Sequence, residues 1–258
     1  LSSYKGLIAS TGVLPSGLRS RVDSRISLIM LSLANTPREE LVARYSEVLR
    51  VLTPDGDATG LGDYLEFGVC FGYSLECMYA AADRHGLSQM RFFGFDSFEG
   101  LPDAARTDDG GYWSPRMFAS DIRTTRRFLN KAGVDWNRVT LVKGWFSDSL
   151  NSDLMVRYSM RKASVIMIDC DMYLSAKQAL DFCGPLIRDE AVIIFDDWYS
   201  GGLDEKNLGE KRAFETFLES GDFDAEPLWR YPPNAQVFRV RRLPRPIGTG
   251  ASNPSAEG

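Results

Sequence analysis

Five short apolar runs constrain the fold of this chain more than any other feature. They fall at 63–69 (DYLEFGV), 90–96 (MRFFGFD), 138–144 (RVTLVKG), 164–169 (SVIMID) and 191–196 (AVIIFD), and helix-compatible stretches separate them. Runs that are apolar throughout, rather than alternating, suit strands buried on both faces, and the intervening segments are long enough for crossover helices. The pattern predicts an α/β fold with a doubly wound, mostly parallel sheet. Near the end, AEPLWRY (225–231) and AQVFRVRR (235–242) flank PPN, which predicts an antiparallel pair in place of another crossover.

The flanks read differently. Residues 1–58 form an expected helical region: 18–51 are rich in helix formers, with Thr36, Pro37 and Glu39 placed as N-cap, first helical residue and capping-box acid, and Pro54 follows the end. The joint PDGDATGLGD leads into the main domain, expected over 59–242. The tail, 243–258, is too poor in apolar residues to pack and is expected to be disordered. The N-terminal helices are expected to shape a pocket or an interface between subunits of a homo-oligomer.

The runs end in acids. In an open parallel sheet, ligands bind beyond the carboxyl ends of the strands where the strand order reverses. Four of the five runs bring acids to that edge: Glu66, Asp96, Asp169 with Asp171, and Asp196 with Asp197. One such acid is readily a helix cap; six converging on one edge point to a site.

Each position suggests a role. In EFGVCFGYS, Gly68 allows close approach of a ligand to the backbone, Gly72 permits the turn into a helix, and Ser74 with neighbouring N–H groups can hold a carboxylate. The segment also reads as a plain strand-to-helix turn, since it lacks GxGxxG. Asp96, with Ser97 after it, stands where an acid accepts hydrogen bonds from ribose hydroxyls, or where it shapes the turn in DSFEGLP. Gly144 and Trp145, with Phe146, offer a close approach and an apolar wall for a base, or core packing. Asp169, Asp196 and Asp197 would supply only carboxylate oxygens, the donor set of a hard cation such as Mg²⁺, and crowding them is costly without one. Asp171 is near enough to reach a substrate held there.

Composition narrows the partners. A net charge of −5 with a pI near 5.1 argues against nucleic acid. No apolar run approaches the roughly 18 residues of a membrane span, so no membrane is expected. The four cysteines show no CxxC, and Cys70 and Cys170 lie inside the motifs, which suits a reducing cytoplasm.

In order and spacing, YLEFGVCFGYSL, FFGFDSFEGLPD, LVKGWFSDSL, IDCDMYLSAKQAL, IIFDDW and GEKRAFETFL resemble the successive motifs of the macrocin O-methyltransferase family, from about 63 to 240. The resemblance implies a class I methyltransferase that uses S-adenosylmethionine and Mg²⁺ to methylate a sugar hydroxyl of a glycosylated small molecule in antibiotic biosynthesis. It implies cofactor contacts at Glu66, Gly68, Gly72, Ser74, Asp96, Ser97, Gly144, Trp145 and Asp169, metal ligands at Asp169, Asp196 and Asp197, and a general base at Asp171. The first motif departs from the family's commoner pattern around Cys70 and Phe71. His85, the one histidine, stands at a predicted helix end before Gly86 and is read as a helix-terminal residue. Residues 103–119, with a Gly pair and aromatics, are read as a lid or as a surface insertion.

Two other readings remain at this level. DCD is also the DxD signature by which nucleotide-sugar glycosyltransferases hold Mn²⁺. The fold can also serve as a non-catalytic nucleoside-binding subunit.

Overall fold

The computed structural model describes residues 36–244. The expected helix over 18–35 and the tail from 245 lie outside the described residues. Seven strands form one sheet in the order β3-β2-β1-β4-β5-β7-β6: β1 (Asp63–Phe67), β2 (Phe92–Asp96), β3 (Val139–Lys143), β4 (Ala163–Ile168), β5 (Glu190–Phe195), β6 (Phe223–Tyr231) and β7 (Ala235–Arg242). β1 to β5 run parallel; β7 is antiparallel to β5, and β6 to β7. Strand order reverses between β1 and β4, which makes their carboxyl ends the switch point.

The continuous apolarity of the runs has a direct cause. Tyr64, Val165, Met167, Val192 and Ile194 enter one core, while Leu65, Phe67, Ile166, Ile168, Ile193 and Phe195 enter the other. Neighbours on a strand point to opposite faces, and both faces are covered. The first core lies under α1 (Arg38–Leu52) and α2 (Tyr73–Arg84), with Leu129 from α3 (Ile122–Ala132). The second holds α6 (Tyr173–Cys183) and α7 (Gly209–Leu218), with Leu154 from α5 (Ser152–Arg157); the single turn α4 (Phe146–Ser149) precedes α5. Phe195 anchors that side, 5.0 Å from both the Trp198 and the Phe214 ring.

Local caps set the helix ends. The Asp121 carboxylate accepts from Arg123 N–H (3.1 Å) at the start of α3, which ends at Gly133 in the left-handed conformation. The expected capping box of α1 is not formed. Helix α1 starts one residue later than expected, with Pro37 at the cap; the Thr36 hydroxyl donates to Pro232 O (3.2 Å), and Glu39 pairs with Arg38 and Arg84. The β6–β7 turn comes beside Thr36 and takes the hydroxyl that would have capped the helix. Leu41, Val42, Tyr45, Val48 and Leu49 of α1 are buried in the first core, so this helix packs as part of the sheet unit.

The 103–119 segment makes one short 3-10 turn, Asp103–Arg106, and then a kinked turn over Asp108–Gly111 in which Asp109 and Gly110 are left-handed. Leu101, Ala105, Trp113 and Met117 bury against Met172 and Leu203 in a small core of their own. Among the described residues no helix is long and apolar enough to cross a membrane, and the four cysteines are free thiols.

Candidate active site

The carboxyl ends of β1, β2, β4 and β5 open onto a cleft of about 1200 Å³. Its floor continues the parallel ladder past the strands: Gly68 N–H donates to Phe95 O (2.9 Å), Asp169 N–H to Phe67 O (2.9 Å), Asp196 N–H to Ile168 O (3.0 Å) and Gly144 N–H to Asp96 O (3.0 Å). The backbones crowd at the switch point. A Cβ on Gly68, where φ is +95°, would lie 1.7 Å from Asp169 O, so only glycine fits there.

Of the predicted residues, Gly68, Ser74, Asp96, Ser97, Gly144, Trp145, Asp169, Asp171, Asp196 and Asp197 line the cleft. Glu66 and Gly72 do not. Glu66 is fully buried below the floor, where its carboxylate accepts from the Tyr64 hydroxyl and from Ser74 Oγ (2.7 Å); burial lifts its pKa to about 8. Gly72 caps α2 with φ +85°, and a Cβ there would press on Thr125 and Leu129 of α3 at 3.1 and 3.3 Å. Both residues build the floor on which Ser74 stands. His85 is the C-cap of α2.

Asp96 combines its two sequence readings. Its Oδ2 accepts from Cys70 N–H (2.7 Å) and its Oδ1 from Phe98 N–H (2.6 Å), which ties the loop after β1 to the turn after β2. Each carboxylate oxygen retains capacity for a further donor from the cleft. Burial raises its pKa, and the backbone N–H groups oppose that shift. The Ser97 hydroxyl is committed to its turn: it donates to Gly100 O and accepts from Glu99 N–H, each at 3.0 Å. On the other side, Trp145 and Phe146 form an apolar wall, and Phe146 also packs edge-on against Phe67 at 5.8 Å.

The acids after β4 and β5 converge. Asp169, Asp196 and Asp197 each present a carboxylate oxygen within 4.8 Å of the others. Asp171 has φ +65°, a left-handed geometry that an aspartate tolerates better than most residues, and its carboxyl shares a hydrogen bond with Asp197. Burial first, and the neighbouring carboxylates second, push Asp169 and Asp171 well above the ordinary carboxylate range; the same causes raise Asp196 to about 7. Among the described residues none of these four is in an ion pair with Lys or Arg. The set offers only hard oxygen donors, carries excess negative charge and opens to the cleft, and so fits a small divalent cation.

Several partners of this site carried no sequence signal. Ser200 Oγ donates to Asp197 Oδ1 and accepts from Asn234 Nδ2 (3.1 Å), which joins the β6–β7 turn to the metal-type cluster. Asp197 N–H donates to Glu210 Oε2 (3.0 Å). Asp109 is buried at φ +51°, and its two oxygens accept from Tyr173 N–H (2.9 Å) and Gly209 N–H (2.7 Å), at the starts of α6 and α7. Asp108 caps Leu174 N–H (2.9 Å). The 103–119 segment is therefore seated on the helices that follow Asp171 and Asp197, with Trp113, Met117 and Phe118 on the cleft wall.

Comparison with known proteins gives three findings. The family described as Macrocin-O-methyltransferase (TylF) matches residues 53–212. Two curated Streptomyces proteins are similar. The 8-demethyl-8-(2,3-dimethoxy-alpha-L-rhamnosyl)-tetracenomycin-C 4'-O-methyltransferase of Streptomyces olivaceus is 29% identical over 143 residues, and the demethyldecarbamoylnovobiocin O-methyltransferase of Streptomyces niveus is 26% identical over 147; each match covers 53% of both proteins. The chain thus spans about half the length of the curated relatives it matches. The solved structure of the O-methyltransferase NovP shares the fold, with a TM-score of 0.63 at 19% identity over 79% of each chain.

Proposed function

The chain belongs to the macrocin-O-methyltransferase family, and from that premise we propose that it is an S-adenosylmethionine- and Mg²⁺-dependent O-methyltransferase acting on a sugar hydroxyl of a glycosylated natural product in antibiotic biosynthesis. The observation that carries the reading is the cluster of Asp169, Asp196 and Asp197 at the switch point, three carboxylates within 4.8 Å and, among the described residues, without a protein cation, beside Asp171 in the same cleft. The names of the two curated relatives, one of which refers to a rhamnosyl group, support the acceptor class.

When bound, S-adenosylmethionine would supply an electrophilic methyl group, and the divalent cation would lower the pKa of a sugar hydroxyl. Asp169, Asp196 and Asp197 would hold the cation. Asp96 accepts the ribose hydroxyls on the lone pairs its two backbone donors leave free, Gly68 leaves the backbone bare for close approach, and Trp145 gives the base an apolar wall. Ser74 lines the cleft at the start of α2, a helix end that suits an anionic group, while its hydroxyl donates to Glu66.

Asp171 accepts the hydroxyl proton. Burial first, and then the Asp197 and Asp169 carboxylates, push its pKa well above the ordinary carboxylate range, which favours a group that holds a proton once it has taken one. The 103–119 segment, docked through Asp108 and Asp109, excludes water from the reacting groups. Placing acceptor and methyl donor in line is then the main contribution of the scaffold.

The test is a labelled-methyl transfer assay over a panel of glycosylated natural products, with and without chelator. Transfer that chelation abolishes and Mg²⁺ restores is expected; full turnover in metal-free buffer would refute the cation's part.

A further inference from the structure

One acid beside the cluster has no place in the chemistry above. Glu210 is in the first turn of α7, and 1% of its surface is exposed. Its Oε2 accepts the Asp197 N–H at 3.0 Å, while its Oε1 is buried with no hydrogen-bond partner. Burial first, and then the nearby Asp197, Asp196 and Asp169 carboxylates, push its pKa well above the ordinary carboxylate range. An acid in a first helical turn ordinarily complements the helix dipole from the surface. A buried carboxyl with one oxygen unused is costly, and its ionised form would place a further negative charge beside the cluster, which only a bound cation would offset.

Its position is also fixed from the opposite side. Gly209, directly before it, has φ +60° and donates its N–H to Asp109 Oδ1 at 2.7 Å. The start of α7 is therefore pinned by the 103–119 segment, and Glu210 transmits that position to the Asp197 backbone.

Resting on the cation reading above, we propose that Glu210 is a positioning residue of the divalent-cation site, orienting Asp197 through its backbone N–H and adding the buried charge that draws the cation in. Partners one step behind the ligands typically contribute 10–100-fold to metal affinity. A residue holding only the fold would affect cofactor and cation affinity alike; Glu210 acts on the cation alone.

The experiment measures free Mn²⁺ by electron paramagnetic resonance in titrations of the full chain, with S-adenosylhomocysteine affinity measured in parallel by calorimetry. Glu210→Ala, which removes both charge and acceptor, is expected to weaken Mn²⁺ by about 10–100-fold. Glu210→Gln keeps an oxygen for the Asp197 N–H and removes the charge, so it is expected to weaken Mn²⁺ by a smaller factor of about threefold or more. S-adenosylhomocysteine affinity should stay within about twofold of the parent in both variants, the margin that separates this role from a structural one. Should the alanine variant fail to fold, the glutamine variant alone decides. Mn²⁺ affinity equal to the parent's, or equal losses for Mn²⁺ and S-adenosylhomocysteine, would overturn the role of Glu210. A parent chain that binds no Mn²⁺ would overturn the cation reading itself, and this role with it.

Discussion

The two edges of the sheet treat buried acids in opposite ways. At the amino edge the buried and half-buried acids among the described residues have a cation beside them: Asp63 at the start of β1 receives Arg91 Nε at 2.8 Å and Nη2 at 2.6 Å, and Glu190 at the start of β5 meets Arg241 at 3.4 Å, while the exposed Asp189 meets Lys162 at 2.9 Å. At the carboxyl edge Asp169, Asp171, Asp196, Asp197 and Glu210 crowd together and, among the described residues, none has such a partner. Burying a carboxylate is unfavourable unless charge or donors offset it. The amino edge offsets that cost within the chain, which is what a structural region needs. The carboxyl edge, among the described residues, does not, which is what the proposed cation site requires.

The largest expected effect breaks this comparison at the cluster. Asp197→Asn should reduce turnover to background and weaken Mn²⁺ or Mg²⁺ by more than the 10–100-fold typical of partners behind the ligands. Its readout is cation titration followed by methyl transfer at saturating cation; unchanged cation affinity would show that the unpaired acids serve another purpose. Asp171→Asn comes next. It keeps the shape and the three-aspartate cluster, so cation and cofactor affinity should persist while turnover falls by roughly 10²-fold or more, the usual scale for loss of a general base. Full rescue of Asp171→Asn by excess Mg²⁺ would make Asp171 a ligand and place the base elsewhere.

The sheet and the cluster were legible in the sequence because their logic is local. A strand covered on both faces shows as an unbroken apolar run, and parallel strands bring all their last residues to one edge, so Asp96, Asp169, Asp196 and Asp197 could be placed together without knowing the strand order. Glu66, expected at the cofactor, lies below the cleft floor: a run apolar on both sides does not reveal which face each of its acids takes, and Tyr64 with Ser74 hold Glu66 there. Asp109 and Glu210 were illegible for another reason. Asp109 bonds Gly209 from 100 residues away, and Glu210 looks like any acid in a first helical turn until the fold buries it under Asp197. The same holds for Thr36, whose capping hydroxyl is taken by Pro232, 196 residues further on.

A smaller effect sharpens the contrast through pH. Burial and the Asp197 charge raise Asp196 from 3.8 in the unfolded chain to about 7, and burial raises Glu66 from 4.5 to about 8. Because the folded values are the higher ones, these groups contribute stability fully below pH 3.8–4.5 and lose it as pH rises toward 7–8. The chelated protein should therefore melt at progressively lower temperature over that window. Mg²⁺ binds the ionised cluster, so its stabilising effect should grow with pH, reaching about 5–10 °C near pH 8 at a Mg²⁺ concentration a hundredfold above Kd. Scanning calorimetry from pH 5 to 8.5 with Mg²⁺ or chelator measures both trends; a Mg²⁺ effect that shrinks as pH rises would contradict the assignment of Asp196 as a ligand.

The smallest effect on function is expected at the opposite edge, where the comparison predicts a cost in stability alone. Arg91→Met removes the two charge-assisted hydrogen bonds to Asp63, which is 6% exposed, and two more to Tyr158 O at 2.9 Å and Ser159 O at 3.2 Å. Hydrogen bonds to a charged group contribute about 1.5–3 kcal/mol, but the Arg91 side chain is itself 36% exposed and water screens the pair, so the expected loss is about 1–2 kcal/mol. Methionine keeps most of the apolar stem, which limits any packing loss beside Phe93, whose ring lies 5.1 Å from the guanidinium. Denaturant unfolding gives the stability, and the Mn²⁺ and S-adenosylhomocysteine titrations used for Glu210 give the two affinities. Affinities within about twofold of the parent, with the midpoint lowered and the slope unchanged, are expected of an acid whose charge was already satisfied by its own chain. A cation affinity reduced tenfold would mean that the two edges are coupled through the sheet.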